Sequence, residues 1–340
     1  MKKNVLLAAL LLAAVACEKT PPEKPPAPPK TAAPSAQPAQ AVQAEALDIC
    51  SFNIQFLGNS RSRDDAALAH VLRDCEVAVI QELVAPPTPG TFPGGKARKA
   101  DAEAKEFFDA MQALGFSYLL SEEDTGTGAK IHMNSSATEW WVAFYRDDAV
   151  RPATDLPSGF LAADRSDHPD YERVPYAFAF RSAGGSDFVL VSVHLQPGGG
   201  RKERARRKQE FDAIARWIDA NDASERDFVI LGDMNIEDCK ELAGVTPAGF
   251  VSLNDECVPT NTNVKKPKPY DHVMLRPADT REVDADYDFV VVDLVEAMRP
   301  FWKGDEPYPG RPYNHNGFRK YYSDHHPVRF RLKPAADDDG

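Results

Sequence analysis

The sequence has 340 residues, a net charge of −12 and 28 prolines. That charge excludes wholesale coating of a polyanion, but it leaves room for one small catalytic cleft. The length exceeds what one large α/β domain needs, so part of the chain is expected to lie outside the core.

Lys2 and Lys3 lead into an apolar run, Val5 to Ala16, that stops at Cys17. The run is too short to span a bilayer and has the layout of a bacterial secretion signal. Ala14-Val15-Ala16 fits an ordinary small-residue cleavage site, and it also fits a lipoprotein site in which Cys17 becomes the lipidated first residue. Residues 18–46 are rich in Pro, Ala and polar residues without apolar periodicity, the composition of an extended tether. A tether directly after a cysteine suits an anchor in a membrane. Glu18, where an Asp would favour inner-membrane retention, points to the outer membrane. The expected organisation is a signal over 1–17, a tether over 18–46, one domain over 47–333 and an acidic tail over 334–340. The expected location is the bacterial envelope, held by lipid on Cys17, or the exterior after secretion.

Within the domain, "LDICSFNI" (47–54) alternates and predicts a strand. Arg63 to Arg73 predicts a helix with Ala66, Leu68, Ala69 and Leu72 as its apolar face. "VAVIQEL" (77–83) is a buried strand; a Pro/Gly loop and a helix from Asp101 to Leu114 follow. "GFSYLLSEE" and "EWWVAFY" (139–145) are strands, and "VPYAFAFRS" with "DFVLVSVHL" forms a hairpin about "SAGGS". A basic helix from Arg201 to about Asn221 precedes "DFVILGDMNIEDC" (227–239), a strand buried on both faces. Further strands are expected near 249–253, 271–275, 289–292 and 328–332. Strands with helices interspersed but not strictly alternating predict two mixed sheets packed together with helices outside.

Several of these strands end in polar residues that a core does not want: Asn53, Gln81 and Glu82, His194, then Asp233 and Asn235. Asp271 opens another strand, and Asp324 and His325 precede the last. Asp233 and Asn235, two apart on an extended chain, point to one side past the sheet edge. Both are also good helix caps, so that pair alone does not choose between a site and a helix start. Together the residues form an oxygen-rich set suited to a hard divalent cation such as Mg²⁺ or Ca²⁺; zinc would want more His or Cys.

"FNIQ", "IQE", "VHLQP", "LGDMN", "YDH" and "SDHHPV" stand in the order found in the endonuclease/exonuclease/phosphatase superfamily, which the chain resembles over nearly all of its length after the tether. The resemblance implies a four-layer α/β/β/α sandwich and metal-dependent cleavage of phosphoester bonds. Secreted deoxyribonucleases of the pancreatic type look most similar. His194 in "SVHLQP", Glu139 in "SSATEWWVAFYR", and "GDMNIEDC" followed by "CVPTNTN" carry that likeness. The last region implies a Cys239–Cys257 disulfide; Cys50 and Cys75, at the starts of two neighbouring strands, are a second candidate pair. Two departures concern duplex DNA. Ala137 stands where those nucleases insert a Tyr, and Leu83 and Val84 stand where an Arg would follow the metal-binding glutamate.

By this resemblance Glu82 is the first metal ligand, with Asn53 and Asp324 near it, and the cation is Mg²⁺, with Mn²⁺ or Ca²⁺ as alternatives. His325, oriented by Asp271, would activate the attacking water, and His194, oriented by Glu139, would act on the leaving side. Asp233 and Asn235 would hold the water, the phosphate or a second cation. Arg173 and Thr262 are the implied substrate contacts, and the basic run 201–210 either grips a polyanion or is a solvated helix face. The expected substrate is a nucleic acid, DNA first, acted on by a monomer with no protein partner implied. Rival readings are a phosphomonoesterase or sphingomyelinase-like lipid phosphodiesterase of the same superfamily, and a non-catalytic surface lipoprotein.

Overall fold

The computed structural model describes residues 46–333 except 61, 93–94, 96, 126–137, 164–167, 282, 285–288, 303–307 and 309–313. The secretion signal, Cys17, the tether as far as residue 45, Ala137 and the acidic tail lie outside the described residues.

Two sheets carry the fold. One runs, in spatial order, Val290–Val291, Val328–Leu332, Leu47–Leu57, Val77–Leu83, Trp140–Tyr145, Ser117–Leu120. The other runs Val251–Ser252, Asp271–Leu275, Phe228–Asp233, Asp187–His194, Tyr176–Ser182, Val150–Pro152, with Gly159–Phe160 paired beside Tyr176–Ser182. Each sheet has a parallel pair near its centre, 47–57 with 77–83 and 187–194 with 228–233, and antiparallel neighbours on either side. A parallel pair needs a crossover, and the helices Asp65–Val71 and Arg201–Asp219 supply the two required.

The period of two along each central strand sorts its side chains into layers. Cys50, Phe52 and Ile54 pack outward with Leu68, Phe107, Phe108 and Phe318 of the helices Asp65–Val71, Ala102–Ala113 and His315–Tyr321. Val189, Val191 and Val193 pack outward on the other side against Phe211, Ile214 and Ile218 of Arg201–Asp219. The alternate residues meet between the sheets, where Ile49, Val79, Trp141, Phe180, Leu190, Leu231 and Val273 form a third core. The result is the expected α/β/β/α sandwich.

The inter-sheet face changes character along its length, and this is what positions the site. Following one face of each strand, Ile49 gives way to Ser51 and Asn53, Val79 to Gln81, Leu190 to Ser192 and His194, and Leu231 to Asp233. The antiparallel strand 271–275 starts with Asp271 at the same edge, directly opposite Asp233. Ser51 Oγ donates to Gln81 Oε1 at 3.3 Å and Gln81 Nε2 donates to Ser192 Oγ at 3.2 Å, so a buried hydrogen-bonded layer ties the sheets together just before the polar edge. Gly232 is required here. Its φ is +139°, and a Cβ would lie 2.1 Å from Val193 O on the neighbouring parallel strand.

Both candidate disulfides, Cys50–Cys75 and Cys239–Cys257, are formed. Local differences from expectation are few. The first helix starts only after its cap, Asp64, and Ala66 is exposed while Ala67 takes its place in the core. The strand expected over 289–292 is reduced to Val290–Val291. The helices Cys239–Val245 and His315–Tyr321 were not anticipated, because seven residues are too few to establish a helical period.

Candidate active site

Asp233 is the hub. Its Oδ2 accepts from Asn53 Nδ2 at 3.0 Å and lies 3.5 Å from Nε2 of both His194 and His325. Each imidazole is backed through its other nitrogen by a carboxylate: Glu139 Oε1 stands 3.0 Å from His194 Nδ1, and Asp271 Oδ2 2.8 Å from His325 Nδ1. A carboxylate on Nδ1 fixes the ring and leaves Nε2 as the proton-exchanging atom. The two histidines are thus a mirrored pair that converges on one carboxylate, one from the end of the strand Asp187–His194 and the other from the loop before Val328–Leu332.

Glu82 closes the group. The strand 77–83 loses register between Ile80 and Leu83, and Glu82 takes the left-handed conformation at φ +64°. That bulge turns Glu82 out of the pleat and toward the strand 47–57. Its Oε1 accepts from Asn53 Nδ2 at 2.9 Å and its Oε2 from Phe56 N at 2.9 Å, while its own N–H donates to Glu139 Oε2 at 2.7 Å. Gln55, Phe56 and Asn235 also have φ between +52° and +59°. Four strained non-glycine residues in one edge mark a region where backbone energy is spent on geometry.

The cap alternative for Asp233 and Asn235 is excluded, since Asp238 caps the helix that follows, accepting from Glu241 N at 2.8 Å. Asp233 Oδ1 instead accepts from Asn235 N at 2.9 Å, and Asn235 Nδ2 donates to Leu195 O at 3.0 Å.

The electrostatics follow from burial of many charges together. Burial works to raise the pKa of Glu139, but His194, Arg173 and the Glu82 N–H outweigh it and hold the carboxyl at about 2. Burial raises Glu82, and Asp324 and Glu139 push the same way against His194 and Asn53. For His194, burial and Arg173 oppose the charged ring, yet Glu139 and Asp233 carry it upward. His325 is pushed well above its ordinary value: burial opposes, while Asp271 and Asp233 prevail. Ligand atoms of Glu82, His194 and Asp233 lie within 4.8 Å of one another, as do those of Asp233, Asp271 and His325.

No protein-family profile matches the sequence, and no curated protein matches it. Solved structures match its architecture. D. rerio TDP2 complexed with a single-strand DNA product aligns at 15% identity and a TM-score of 0.50, over 85% of this chain and 99% of that one. A mannosyl-6-phosphatase from Bacteroides thetaiotaomicron VPI-5482 aligns at 14% identity and a TM-score of 0.51, over 84% and 99%. An endonuclease/exonuclease/phosphatase family protein from Bacteroides thetaiotaomicron aligns at 14% identity and a TM-score of 0.50, over 84% and 97%. The chain has the endonuclease/exonuclease/phosphatase fold.

Within the endonuclease/exonuclease/phosphatase fold of this chain, the expected site residues fall into two groups. Glu82, Asn53, His194, Glu139, Asp233, Asn235, Asp271 and His325 converge at the polar edge, as described above. The other three, Asp324, Arg173 and Thr262, are turned differently, and Asn53 takes part as a donor, not as an oxygen ligand. Asn53 presents its amide N–H groups to Glu82 and Asp233, because its Oδ1 accepts from Gln55 N at 3.0 Å. Asp324 turns its carboxylate to Arg319, 3.0 Å away, while its N–H donates to Gln55 Oε1 at 3.1 Å. The oxygen donor beside Glu82 is therefore Asp233. Arg173, expected at the phosphate, is buried with Nε 2.7 Å from Glu139 Oε1, so it holds the carboxylate that orients His194.

Thr262, the other expected substrate contact, is fully buried and donates through Oγ1 to Ser323 O at 3.1 Å, which braces the loop carrying Asp324 and His325. Thr260 of the same Thr-rich loop reaches the site more directly, since its Oγ1 accepts from Asp271 N at 2.8 Å. The basic run is mostly a solvated helix face, with Arg201, Lys202 and Lys208 exposed and one member, Arg207, turned inside the fold. Arg207 is buried against Glu241 Oε1 at 2.8 Å and the carbonyls of Gln196 and Gly198, while Arg204 pairs with Asp238 and Lys208 with Asp212. Residues not singled out from sequence include Gln55, which links Asn53 to Asp324, and Ser323, which donates to Asn53 O at 2.8 Å and accepts from His325 N at 3.0 Å. Both lie inside quoted motifs, and polarity in a strand-end motif was the available signal.

Proposed function

We propose that the chain is a divalent-metal-dependent phosphoric ester hydrolase whose substrate is a phosphodiester of nucleic acid. The observation that carries this reading is the convergence of two carboxylate-backed imidazoles on Asp233, each Nε2 being 3.5 Å from the same Oδ2. A buried core does not need this arrangement, and hydrolysis of a phosphoester does: one group takes a proton from water and another gives one to the departing oxygen.

The residues present fit a hard cation. Glu82, half-buried, and Asp233, buried, are neighbouring carboxylates, and desolvation together with Asp324 destabilises charge on Glu82, a penalty that a bound cation would relieve. Glu82 and Asp233 would hold it, with Mg²⁺ as the first choice and Mn²⁺ or Ca²⁺ as alternatives. When bound, such a cation neutralises phosphate oxygens and stabilises charge that develops in the transition state. The chain's own groups do the rest. His325 Nε2, reacting from the neutral form of the ring, accepts the proton of the attacking water, and Asp271 and Asp233, which raise its basicity, favour the imidazolium that results. A new oxygen–phosphorus bond forms, the ester bond breaks, and the departing oxygen takes a proton from His194 Nε2. Glu139, held as carboxylate by Arg173, keeps His194 oriented. Asn53 fixes the spacing of Glu82 and Asp233 by donating to both.

Nucleic acid is favoured over a phosphate monoester because a fold neighbour, D. rerio TDP2, is complexed with a single-strand DNA product. The mannosyl-6-phosphatase neighbour makes a phosphomonoester the second reading. The test offers the purified protein single-stranded and duplex DNA, RNA, sphingomyelin and mannose 6-phosphate with Mg²⁺, then with excess chelator. We expect cleavage of nucleic acid, lost on chelation and restored by Mg²⁺ or Mn²⁺. Full activity in excess chelator would overturn the mechanism, and turnover of the monoester alone would move the assignment to a phosphatase.

We further propose lipidation at Cys17 and attachment to the outer membrane through the Pro-rich tether, supported by the signal-like run and the composition of residues 18–46. Among the described residues no helix is long and apolar enough to cross a membrane. Intact mass of the mature protein checks this: an unmodified Cys17 at its start would refute anchoring.

A further inference from the structure

We propose that Phe56 is a stacking platform for an unpaired nucleobase next to the phosphate site, which makes single-stranded or frayed nucleic acid the preferred substrate class. This inference rests on the nucleic-acid reading given above and deepens it.

Phe56 is 43% exposed on a strand whose other apolar residues, Phe52, Ile54 and Leu57, are fully buried. The other large hydrophobic side chains exposed to this degree among the described residues are valines, Val251, Val258 and Val264. Phe56 also makes no ring contact among the described residues, whereas Tyr270 packs on His325 at 5.8 Å between centroids. The ring of Phe56 is therefore presented to solvent at the rim of the site.

Its backbone argues that the ring is there for use. Phe56 has φ +54° and follows Gln55 at φ +59°. Two consecutive L residues in this region are strained, and glycine is the residue that adopts it without penalty. A glycine at position 56 would keep the same path and the same N–H donated to Glu82 Oε2 at 2.9 Å. What phenylalanine adds is only the ring, held one hydrogen bond from the carboxylate read as the cation ligand.

The backbone that carries the ring is braced. The Arg63 guanidinium donates to the carbonyls of Ile54 and Gln55 from behind, and its Nε is 2.9 Å from Glu103 Oε1. Glu103 in turn accepts from Gly58 N. A backbone fixed on both flanks sets where the ring projects, so that only the side-chain torsions of Phe56 are left to be ordered when a flat partner stacks on it.

The chemistry of the partner follows. Stacking on an aromatic side chain is tolerant of base identity, because every base has a π face. Inside a duplex both faces of a base are already covered, so only an unpaired or terminal base can lie on Phe56 while its neighbouring phosphate sits over Asp233 and Glu82. An acyl chain would need a continuous apolar surface, and the neighbours Gln55, Asn59 and Ser60 are polar.

The experiment measures affinity of the full-length chain for a labelled single-stranded oligothymidylate and for an abasic strand of equal length, with Mg²⁺. It is done in a His325→Ala background so that the strand stays intact. We expect the base-bearing strand to bind more tightly than the abasic one. Phe56→Gly should weaken the former about tenfold, within the range of one lost base stack, and leave the latter unchanged. Phe56→Trp should retain the preference. Equal affinity of Phe56→Gly and Phe56 for the base-bearing strand would overturn the proposal, and so would no binding of either strand. If the base-dependent difference holds but the chain with His325 intact does not cut the strand, the hydrolase reading fails and the platform stands.

Discussion

The space between the two sheets has two ends, and they are built from the same strands by opposite rules. At one end Ile49, Val79, Leu190, Leu231 and Phe180 interlock without a polar atom. At the other, the next same-face residues of those strands are Ser51 and Asn53, Gln81, Ser192 and His194, and Asp233. The apolar end derives its stability from burial and tolerates little change in volume. The polar end places carboxylates and imidazoles in the same dry space, where they stay soluble in the fold only by pairing with one another. One end is a core that happens to adjoin a site. The other is a site that could not be held in place without that core.

The contrast can be broken most severely at the polar end. His194→Ala and His325→Ala should each lower the rate of hydrolysis about 10²–10⁴-fold, typical for a positioned acid or base. The double variant should lose far less than the product of the two, because both rings act on one transition state. Steady-state kinetics with thermal unfolding as control checks this; a full rate in folded His194→Ala would remove that residue from the chemistry.

At the apolar end the effect should move from rate to stability. Phe180→Ala empties volume in the inter-sheet core and should cost about 3–5 kcal/mol in denaturant unfolding. The fraction that stays folded should retain near-native turnover per molecule. A rate loss on the scale of the histidine variants would mean that the two ends are not separable.

The Cys239–Cys257 bridge closes an 18-residue separation behind the loop that carries Asp233 and Asn235. Replacing both cysteines by serine should lower stability by roughly 2–4 kcal/mol. Unfolding of the two forms in denaturant measures the difference, and equal midpoints would deny the bridge a structural part.

The smallest effect tests the boundary layer itself. Gln81→Leu combined with Ser51→Ala and Ser192→Val converts the hydrogen-bonded seam into apolar core. Removing all three members together should change stability by no more than about 1 kcal/mol, whereas Gln81→Leu alone strands the Ser51 and Ser192 hydroxyls and should cost more. Denaturant unfolding of the single and triple variants resolves this, and a triple variant worse than Gln81→Leu alone would show that the seam is needed beyond its own bonds.

Much of this was written in the sequence. Alternation along 47–54, 187–194 and 228–233 is a local signal, because side chains of a strand alternate whatever the partner. It made the sheets legible, and the breaks in it at Asn53, Glu82, His194 and Asp233 marked the edge where the site lies. The order of short motifs then pointed to the superfamily whose fold the chain has. What sequence could not decide was the pairing of groups far apart along the chain. Arg173 looked like a free cation for phosphate, yet it is held 2.7 Å from Glu139. Asp324, expected as a metal ligand, pairs at 3.0 Å with Arg319 of a seven-residue helix while its charge still acts on Glu82 and His325. Thr262 is sealed under Ser323, and Glu241 draws Arg207 of the basic run inward while Arg201, Lys202 and Lys208 stay on the surface. The direction in which a long polar side chain turns depends on which opposite charge the fold brings within reach, and burial of that charge makes the choice binding. Backbone strain had no sequence signal either: the left-handed turns at Gln55, Phe56 and Glu82 exist because the bulged edges of two strands must aim one carboxylate between them.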